Sequence, residues 1–108
     1  MEYETLIYEA KEGIAWITLN RPKAMNALNT AMIGELGDVI DTIEKDDGVR
    51  VAVIKGEGGK AFSAGADLKE IEALKIKSAF DYSRAAHRVF NRIEQCGKPV
   101  IACVNGMA

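Results

Sequence analysis

The sequence predicts an α/β fold, in which helices pack against a β-sheet. Short apolar runs of strand length alternate with two longer segments whose apolar residues recur every three or four positions. The predicted order is strand, strand, helix, strand, short helix, helix, strand. A chain of 108 residues, with 48% apolar and 28% charged residues, has the composition of one ordinary domain. We therefore expect a single domain over residues 1–108.

The first predicted unit is a hairpin followed by a helix. Residues 5–10 and 13–19 are rich in Ile, Tyr, Trp and Thr, and the turn between them at residues 11–13 is typical of paired antiparallel strands. A helix is expected over about residues 29–45. Its predicted core-facing residues are Met32, Ile33, Leu36, Val39, Ile40 and Ile43.

The second half of the sequence again alternates predicted strands with predicted helices. Residues 49–55, VRVAVIK, form a nearly continuous apolar run that predicts a strand buried on both faces. A glycine-rich loop and a short helix from about Asp67 follow. Ser78 is the expected N-cap of a long helix that ends before Gly97 and Pro99. Its predicted core-facing residues are Ala79, Phe80, Ser83, Ala86, His87, Phe90 and Ile93.

The last predicted strand, residues 100–104, is also of the buried type. A chain that stops four residues after such a strand leaves it without a covering element, so we expect a truncated fold.

Charge and composition argue against several classes of function. The formal net charge is -2, and the 14 Lys and Arg residues are not concentrated in one segment, so no nucleic-acid partner is expected. No segment resembles a signal peptide or a membrane span, which indicates a cytoplasmic protein without a membrane partner. Cys96 and Cys103 lack metal-ligand spacing, so we expect reduced, buried thiols and no metal site.

The glycine-rich stretch 56–71, GEGGKAFSAGADLKEI, carries the strongest chemical signal. It fails as a Walker A loop, because Ile54 and Ala61 occupy the positions of a required glycine and a required hydroxyl. Ala61 also replaces the third glycine of a dinucleotide-binding fingerprint and the first glycine of a nucleophile elbow. His87, on the predicted helix, is interpreted as a structural residue. Bare nucleotide binding is the weakest functional alternative.

A main-chain donor fits this stretch better. The Gly65–Ala66 peptide lies where a strand leads into a helix, and Asp67 and Glu70 have the spacing of a capping box. Free N–H groups at such a junction attract an oxyanion. The Ala66 N–H is therefore a candidate donor for the enolate that forms when a thioester reacts at its neighbouring carbons.

Three motifs together resemble the crotonase superfamily, also called the enoyl-CoA hydratase/isomerase family. They are residues 60–71, KAFSAGADLKEI, residues 20–28, NRPKAMNAL, and residues 98–108, KPVIACVNGMA. The resemblance covers the whole chain but only the first part of a typical member. It implies the N-terminal portion of the crotonase (ClpP-like) spiral fold, which is built from strand-strand-helix units.

The resemblance also implies a set of site residues. The Ala66 N–H is expected to be one of two oxyanion-hole donors. The expected substrate and coenzyme A contacts are Lys23, Ala24, Lys60, Ala64, Gly65, Asp67, Leu68 and Lys69. Coenzyme A is part of the acyl-CoA substrate, so no separate cofactor is expected. Members of the family commonly form homotrimers or hexamers, which is the assembly expected for the parent protein.

The implied parent activity is that of an enoyl-CoA hydratase. In the family, a glycine-rich turn and two glutamates follow the last motif, and the isolated chain is expected to be inactive without them. Glu57, Glu70 and Glu72 are interpreted as surface carboxylates. The alternatives are a non-catalytic CoA-binding or assembly module and another reaction of the family, such as enoyl-CoA isomerisation.

Overall fold

A four-stranded sheet and two long helices make up most of the chain. The structure is a computed structural model that describes residues 3–106. The strands are β1 (Leu6–Lys11), β2 (Ile14–Leu19), β3 (Val51–Gly56) and β4 (Val100–Ala102), and the helices are α1 (Thr30–Lys45), α2 (Leu68–Glu72) and α3 (Ile76–Glu94). The strand order is β1-β2-β3-β4, with β1 antiparallel to β2 and the other pairs parallel. The predicted α/β fold and element order are confirmed.

The β1–β2 hairpin forms where it was predicted. Lys11 pairs with Ile14, so the connection consists of Glu12 and Gly13. Both residues have positive φ angles, 54° and 83°. Positive φ at both turn positions gives a turn whose twist matches that of the two strands.

Helix α1 supplies the centre of the core. The side chain of Asn29 accepts a hydrogen bond from the Met32 N–H and so caps the first turn. All the predicted core-facing residues are at most 3% exposed: Met32, Ile33, Leu36, Val39, Ile40 and Ile43. They pack with Leu6, Ala15, Ile17, Leu19 and Ala52 of the sheet. The predicted apolar face of this helix is therefore correct.

The other two apolar strands are less buried than predicted. In β3, Ala52 is fully buried whereas Val51 and Val53 are only half-buried, so the prediction of burial on both faces is wrong for the described residues. Strand β4 is short, and Ile101 and Val104 are 53% and 55% exposed. Strand β4 forms the edge of the described sheet and pairs with β3 alone.

Helix α3 begins earlier than predicted. It starts at Ile76, with Lys75 in the N-cap position and without a side-chain cap, so Ser78 lies inside the first turn. Ser78 is therefore not the N-cap.

The buried face of α3 also differs from the predicted one. Phe80 is 61% exposed and His87 is exposed, whereas Val89 is buried. The residues of α3 that pack against the core are Tyr82, Ala85, Ala86, Val89 and Ile93. Apolar residues cover a broad arc of this helix, and the position of α1 decides which part of that arc is buried.

Three further predictions concern individual sites. Both cysteines are free, but Cys103 is exposed, so its predicted burial is wrong, and Cys96 is half-buried. Among residues 3–106, no helix is long and apolar enough to cross a membrane, and no cluster of His, Cys, Asp and Glu could hold a metal ion. Met107 and Ala108, the end of the third motif, lie outside the described residues.

Candidate functional site

Asn26 joins the turn of residues 20–28 to the glycine-rich loop. It is 1% exposed and has a positive φ of 55°. Its side-chain oxygen accepts the Arg21 N–H at 2.8 Å. Its side-chain nitrogen donates to the carbonyls of Glu57 and Ala61 at 3.0 and 2.9 Å. The amide is therefore satisfied by three backbone segments, and it fixes their relative positions.

Ser63 continues this connection towards the donor peptide. Its hydroxyl donates to the Asn26 carbonyl at 2.8 Å and accepts the Gly65 N–H at 3.1 Å. The Ala64 N–H donates to the Met25 carbonyl at 2.9 Å. Gly65 has a φ of +88°, a conformation that favours glycine. The loop is thereby held along the turn for several residues.

The Gly65–Ala66 peptide is held by Leu28. The Leu28 N–H donates to the Gly65 carbonyl at 2.7 Å, and the Leu28 carbonyl accepts the Asp67 N–H at 3.2 Å. In a planar trans peptide the N–H points opposite to the carbonyl, so the Ala66 N–H points away from Leu28. Within residues 3–106 no hydrogen bond from this N–H to a protein acceptor is formed. The donor is thus fixed in direction and available.

Asp67 stabilises the start of α2. Its carboxylate accepts the Glu70 N–H at 3.2 Å and forms an ion pair with Arg21 at 3.0 Å. These contacts, the Glu70 N–H first, hold the pKa of the Asp67 carboxyl below its ordinary value. Arg21 also donates to the Ala27 carbonyl at 2.6 Å. The Asp67 side chain is therefore engaged within the protein.

The predicted capping box is only half formed. Asp67 caps the Glu70 N–H, but the Glu70 carboxylate does not return to the Asp67 N–H, which bonds to Leu28. Instead, Glu70 accepts hydrogen bonds from the N–H and the hydroxyl of Thr30, at the start of α1. Glu70 consequently connects α2 to α1.

Two adjoining grooves collect nearly all of the predicted site residues. The larger one, of about 450 Å³, is lined by Arg21, Lys23, Ala24, Met25, Ala27, Ala64, Ala66, Asp67, Leu68 and Lys69. The smaller one, of about 260 Å³, is lined by Pro22, Lys23, Met25, Asn26, Glu57, Gly58, Lys60 and Ala61. The grooves share Lys23 and Met25. Gly65 lines neither groove; it supplies the carbonyl half of the donor peptide.

Charged groups are distributed unevenly around these grooves. Lys23, Lys60 and Lys69 are exposed. In the described part of the chain, Asp67 is the carboxylate that lines the larger groove, and Glu57 lines the smaller one. The rim therefore presents three exposed cations to a ligand.

The sequence did not indicate the roles of Asn26 and Ser63, or Arg21 as the partner of Asp67. All three residues lie within the motifs at residues 20–28 and 60–71. A polar residue between Met25 and Ala27, in a turn that otherwise becomes apolar, was the available signal for Asn26.

Comparison with known proteins identifies the family of this chain. The model of the enoyl-CoA hydratase/isomerase family matches residues 9–108. The chain belongs to this family. It is 42% identical over 108 residues to the crotonyl-CoA hydratase of Syntrophomonas wolfei and covers 42% of that protein. It is 41% identical over 108 residues to the short-chain-enoyl-CoA hydratase of Clostridium acetobutylicum, of which it covers 41%.

Solved structures of the enoyl-CoA hydratase/isomerase family confirm the predicted fold of strand-strand-helix units. An enoyl-CoA hydratase from Bacillus anthracis superimposes with a TM-score of 0.93 at 32% identity, over 97% of this chain and 41% of that one. An enoyl-CoA hydratase/isomerase from Xanthobacter autotrophicus gives 0.90 at 39% identity, over 97% and 40%. The chain thus spans about two fifths of the length of these relatives.

Proposed function

We propose that this chain provides the acyl-CoA loop of an enoyl-CoA hydratase, which adds water reversibly to a 2-enoyl-CoA. The observation that carries the proposal is the Ala66 N–H, fixed in direction and without an acceptor in residues 3–106. Such a donor stabilises negative charge that develops on a thioester oxygen. The hydratase names of the two curated relatives support the type of reaction.

Hydration of a conjugated thioester moves electrons onto the carbonyl oxygen. Water adds to the β-carbon and loses a proton, and the α-carbon then gains a proton. Between these events the carbonyl has enolate character, so a donor aimed at its oxygen stabilises the transition state more than the substrate. The Leu28 N–H on the Gly65 carbonyl strengthens the Ala66 N–H as a donor, because hydrogen bonds through one peptide polarise each other.

The two grooves fit the rest of an acyl-CoA. Lys23, Lys60 and Lys69 border the grooves and would supply positive charge to the phosphates of coenzyme A. Ala24, Ala64 and Leu68 give the larger groove an apolar lining for the pantetheine arm. Gly65 and Asp67 contribute backbone to the loop that borders the larger groove. Coenzyme A enters as part of the substrate, and the proposed chemistry uses no further cofactor.

Hydration needs an acid-base pair, and Asp67 and Glu70, the two carboxylates nearest in sequence to Ala66, are engaged within the protein. One group must take a proton from water while another delivers one to carbon. Asp67 is held by Arg21, and Glu70 is held by Thr30. We therefore propose that residues 1–108 alone bind and polarise the thioester without hydrating it.

Two measurements on the 108-residue chain test this function. Calorimetric titration compares crotonyl-CoA with free coenzyme A. Infrared spectroscopy of crotonyl-CoA labelled with carbon-13 at the carbonyl reports the hydrogen bond to its oxygen. We expect tighter binding of crotonyl-CoA and a carbonyl stretch at lower frequency than in water. Ala66→Pro, which removes the N–H, should abolish the frequency shift, whereas the control Ala66→Gly, which keeps the N–H, should retain it.

The outcomes separate the alternatives. Equal affinity for crotonyl-CoA and free coenzyme A, with the carbonyl at its solution frequency, would favour a non-catalytic CoA-binding module. Absence of binding to either ligand would contradict the proposed function. Hydration of crotonyl-CoA at the rate of a full-length family hydratase would contradict the structural roles assigned to the carboxylates.

A further inference from the structure

Helix α3 reaches the donor peptide through Tyr82. The Tyr82 hydroxyl donates a short hydrogen bond to the Leu28 carbonyl, 54 positions away in the sequence. The Leu28 N–H donates to the Gly65 carbonyl and the Leu28 carbonyl accepts the Asp67 N–H, so Leu28 bonds to the peptides before and after Ala66. We call these two hydrogen bonds the Leu28 bridge. Tyr82 contacts this bridge at the Leu28 carbonyl.

The state of the Tyr82 hydroxyl suits this contact. The side chain is half-buried. Burial raises the pKa of Tyr82 above its ordinary value of 10.0, and the Asp67 N–H offsets part of this increase. The hydroxyl therefore keeps its proton at neutral pH and donates it to the carbonyl.

The hydrogen bond from Tyr82 restrains the Leu28 bridge, whose contact with Asp67 is longer than its contact with Gly65. The Leu28 carbonyl accepts the Asp67 N–H at 3.2 Å, which is at the long end of the range for such bonds. The Ala66 N–H lies in the planar Gly65–Ala66 peptide, and the adjoining Ala66–Asp67 peptide bonds to the Leu28 carbonyl. A shift of this carbonyl therefore moves the Ala66–Asp67 peptide and, through Ala66, turns the donor peptide. Small errors in the placement of such a donor reduce its interaction with an oxyanion.

We propose that Tyr82 is a positioning residue for the Ala66 donor, and that it couples the placement of α3 to the polarisation of a bound thioester. The proposal rests on the proposed function of Ala66 and adds the residue that sets its direction. Val89 is the buried residue of α3 within the described chain, and it lies away from the loop. The hydrogen bond from Tyr82 links the helix directly to the Leu28 carbonyl, which in turn holds the Asp67 N–H next to Ala66.

The variant Tyr82→Phe tests this coupling because it removes the hydroxyl and keeps the ring. Tyr8→Phe is the matched control, because the buried Tyr8 hydroxyl has no hydrogen-bond partner within residues 3–106. The first readout is the carbonyl stretch of labelled crotonyl-CoA bound to each variant. The second is the nitrogen-15 and proton NMR signal of the Ala66 amide in the free protein.

We expect Tyr82→Phe to bind crotonyl-CoA within about threefold of the wild-type Kd, because the hydroxyl does not touch the ligand groove. It should nevertheless lose about half of the carbonyl frequency shift and move the Ala66 amide signal. Tyr8→Phe should change neither readout. Incorporation of 3-fluorotyrosine at position 82, which keeps the ring and makes the hydroxyl a stronger donor, should increase the shift.

Each failure has a distinct meaning. A Tyr82→Phe variant with the wild-type carbonyl shift and the wild-type Ala66 amide signal would overturn the positioning role, even if its Tm fell. If the wild-type chain binds no acyl-CoA, the proposed function fails, and the Ala66 amide signal still decides whether Tyr82 orients this peptide. If Tyr82→Phe does not fold, the fluorinated variant decides: an unchanged Ala66 amide would overturn the proposal.

Discussion

Helices α1 and α3 are both amphipathic, yet the described chain buries only α1 well. The core-facing residues of α1 are at most 3% exposed, whereas Ile76 and Phe80 of α3 are 91% and 61% exposed. An amphipathic pattern therefore reports the capacity of a helix to pack, and the surrounding elements decide how much of that capacity is used. The segment around Ala66 is connected to both helices. Glu70 bonds to Thr30 of α1, and Leu28 bonds to Tyr82 of α3.

The largest effect is expected from a cavity in the α1 region. Ile40 is fully buried, so Ile40→Ala should lower the free energy of unfolding by about 4 kcal/mol, because both apolar burial and packing are lost. The matched substitution in the other helix, Ile76→Ala, should change it by at most about 0.5 kcal/mol. Urea unfolding of both variants measures the contrast. Losses of similar size would mean that α3 is as well packed as α1.

A backbone effect of intermediate size is expected at Gly56, where β3 enters the loop. A Cβ there would lie 2.5 Å from the Phe62 carbonyl oxygen and 2.6 Å from that of Ala61. Because backbone atoms must then move, Gly56→Ala should cost about 2 to 3 kcal/mol of unfolding free energy.

Gly34→Ala in α1 is the control for the substitution at Gly56. A Cβ at Gly34 meets nothing within 4 Å. The better helix propensity of alanine should therefore stabilise the protein by about 0.5 to 1 kcal/mol. The two variants are predicted to shift the urea midpoint in opposite directions, and a shared direction would contradict the close approach at Gly56.

A smaller, pH-dependent effect is expected at Asp67. Its folded-state pKa is lowered, so its contribution to stability is present above its ordinary value of 3.8 and is lost as the pH falls through the lower folded value. Asp67→Asn should therefore lower the unfolding free energy by about 1 to 2 kcal/mol at pH 7.

Below the folded pKa of Asp67, the stabilities of Asp67→Asn and the wild type should converge, as measured by urea unfolding across an acid series. The control Asp47→Asn, at an exposed position, should follow the wild type at every pH. A difference between Asp67→Asn and the wild type that stays constant in acid would show that the carboxylate charge is not the cause.

The smallest effect is expected for the ion pair that joins the helices. Arg92 of α3 contacts Asp41 of α1, and their side chains are 32% and 53% exposed. Arg92→Ala should cost at most about 0.5 kcal/mol at low salt, because water screens the pair. The loss should shrink further in about 1 M salt. Arg88→Ala, at an exposed position of the same helix, serves as the control. A loss that is insensitive to salt would indicate packing rather than charge.

The sequence predicted the parts of the fold that depend on neighbouring residues. The β1–β2 hairpin and the buried face of α1 are local patterns of spacing, and both formed as expected. The turn is shorter than the predicted residues 11–13, because Lys11 pairs with Ile14 and only Glu12 and Gly13 connect the strands.

The motifs at residues 20–28 and 60–71 indicated Lys23, Ala66 and Lys69 as site residues, and all three line the larger groove. Their roles in binding remain predictions.

The sequence did not predict features that depend on distant contacts. The face of α3 was misjudged because its apolar residues cover an arc that includes both Phe80 and Val89, so spacing alone does not distinguish them. The hydrogen bond from Asn26 to Ala61 spans 35 positions, and the one from Tyr82 to Leu28 spans 54. A polar side chain in a motif does not reveal such a partner until the fold brings the two together.

The candidate donor at Ala66 is a backbone amide, and this has a chemical consequence. An amide N–H neither gains nor loses a proton over the range in which proteins are folded, so its hydrogen-bonding capacity is the same in mild acid and mild base. Any pH optimum of a reaction in this groove must therefore arise from side chains or from the substrate. The same reasoning applies to genetic change: every amino acid except proline keeps this N–H, so mutations that impair it act by turning the peptide rather than by deleting the group.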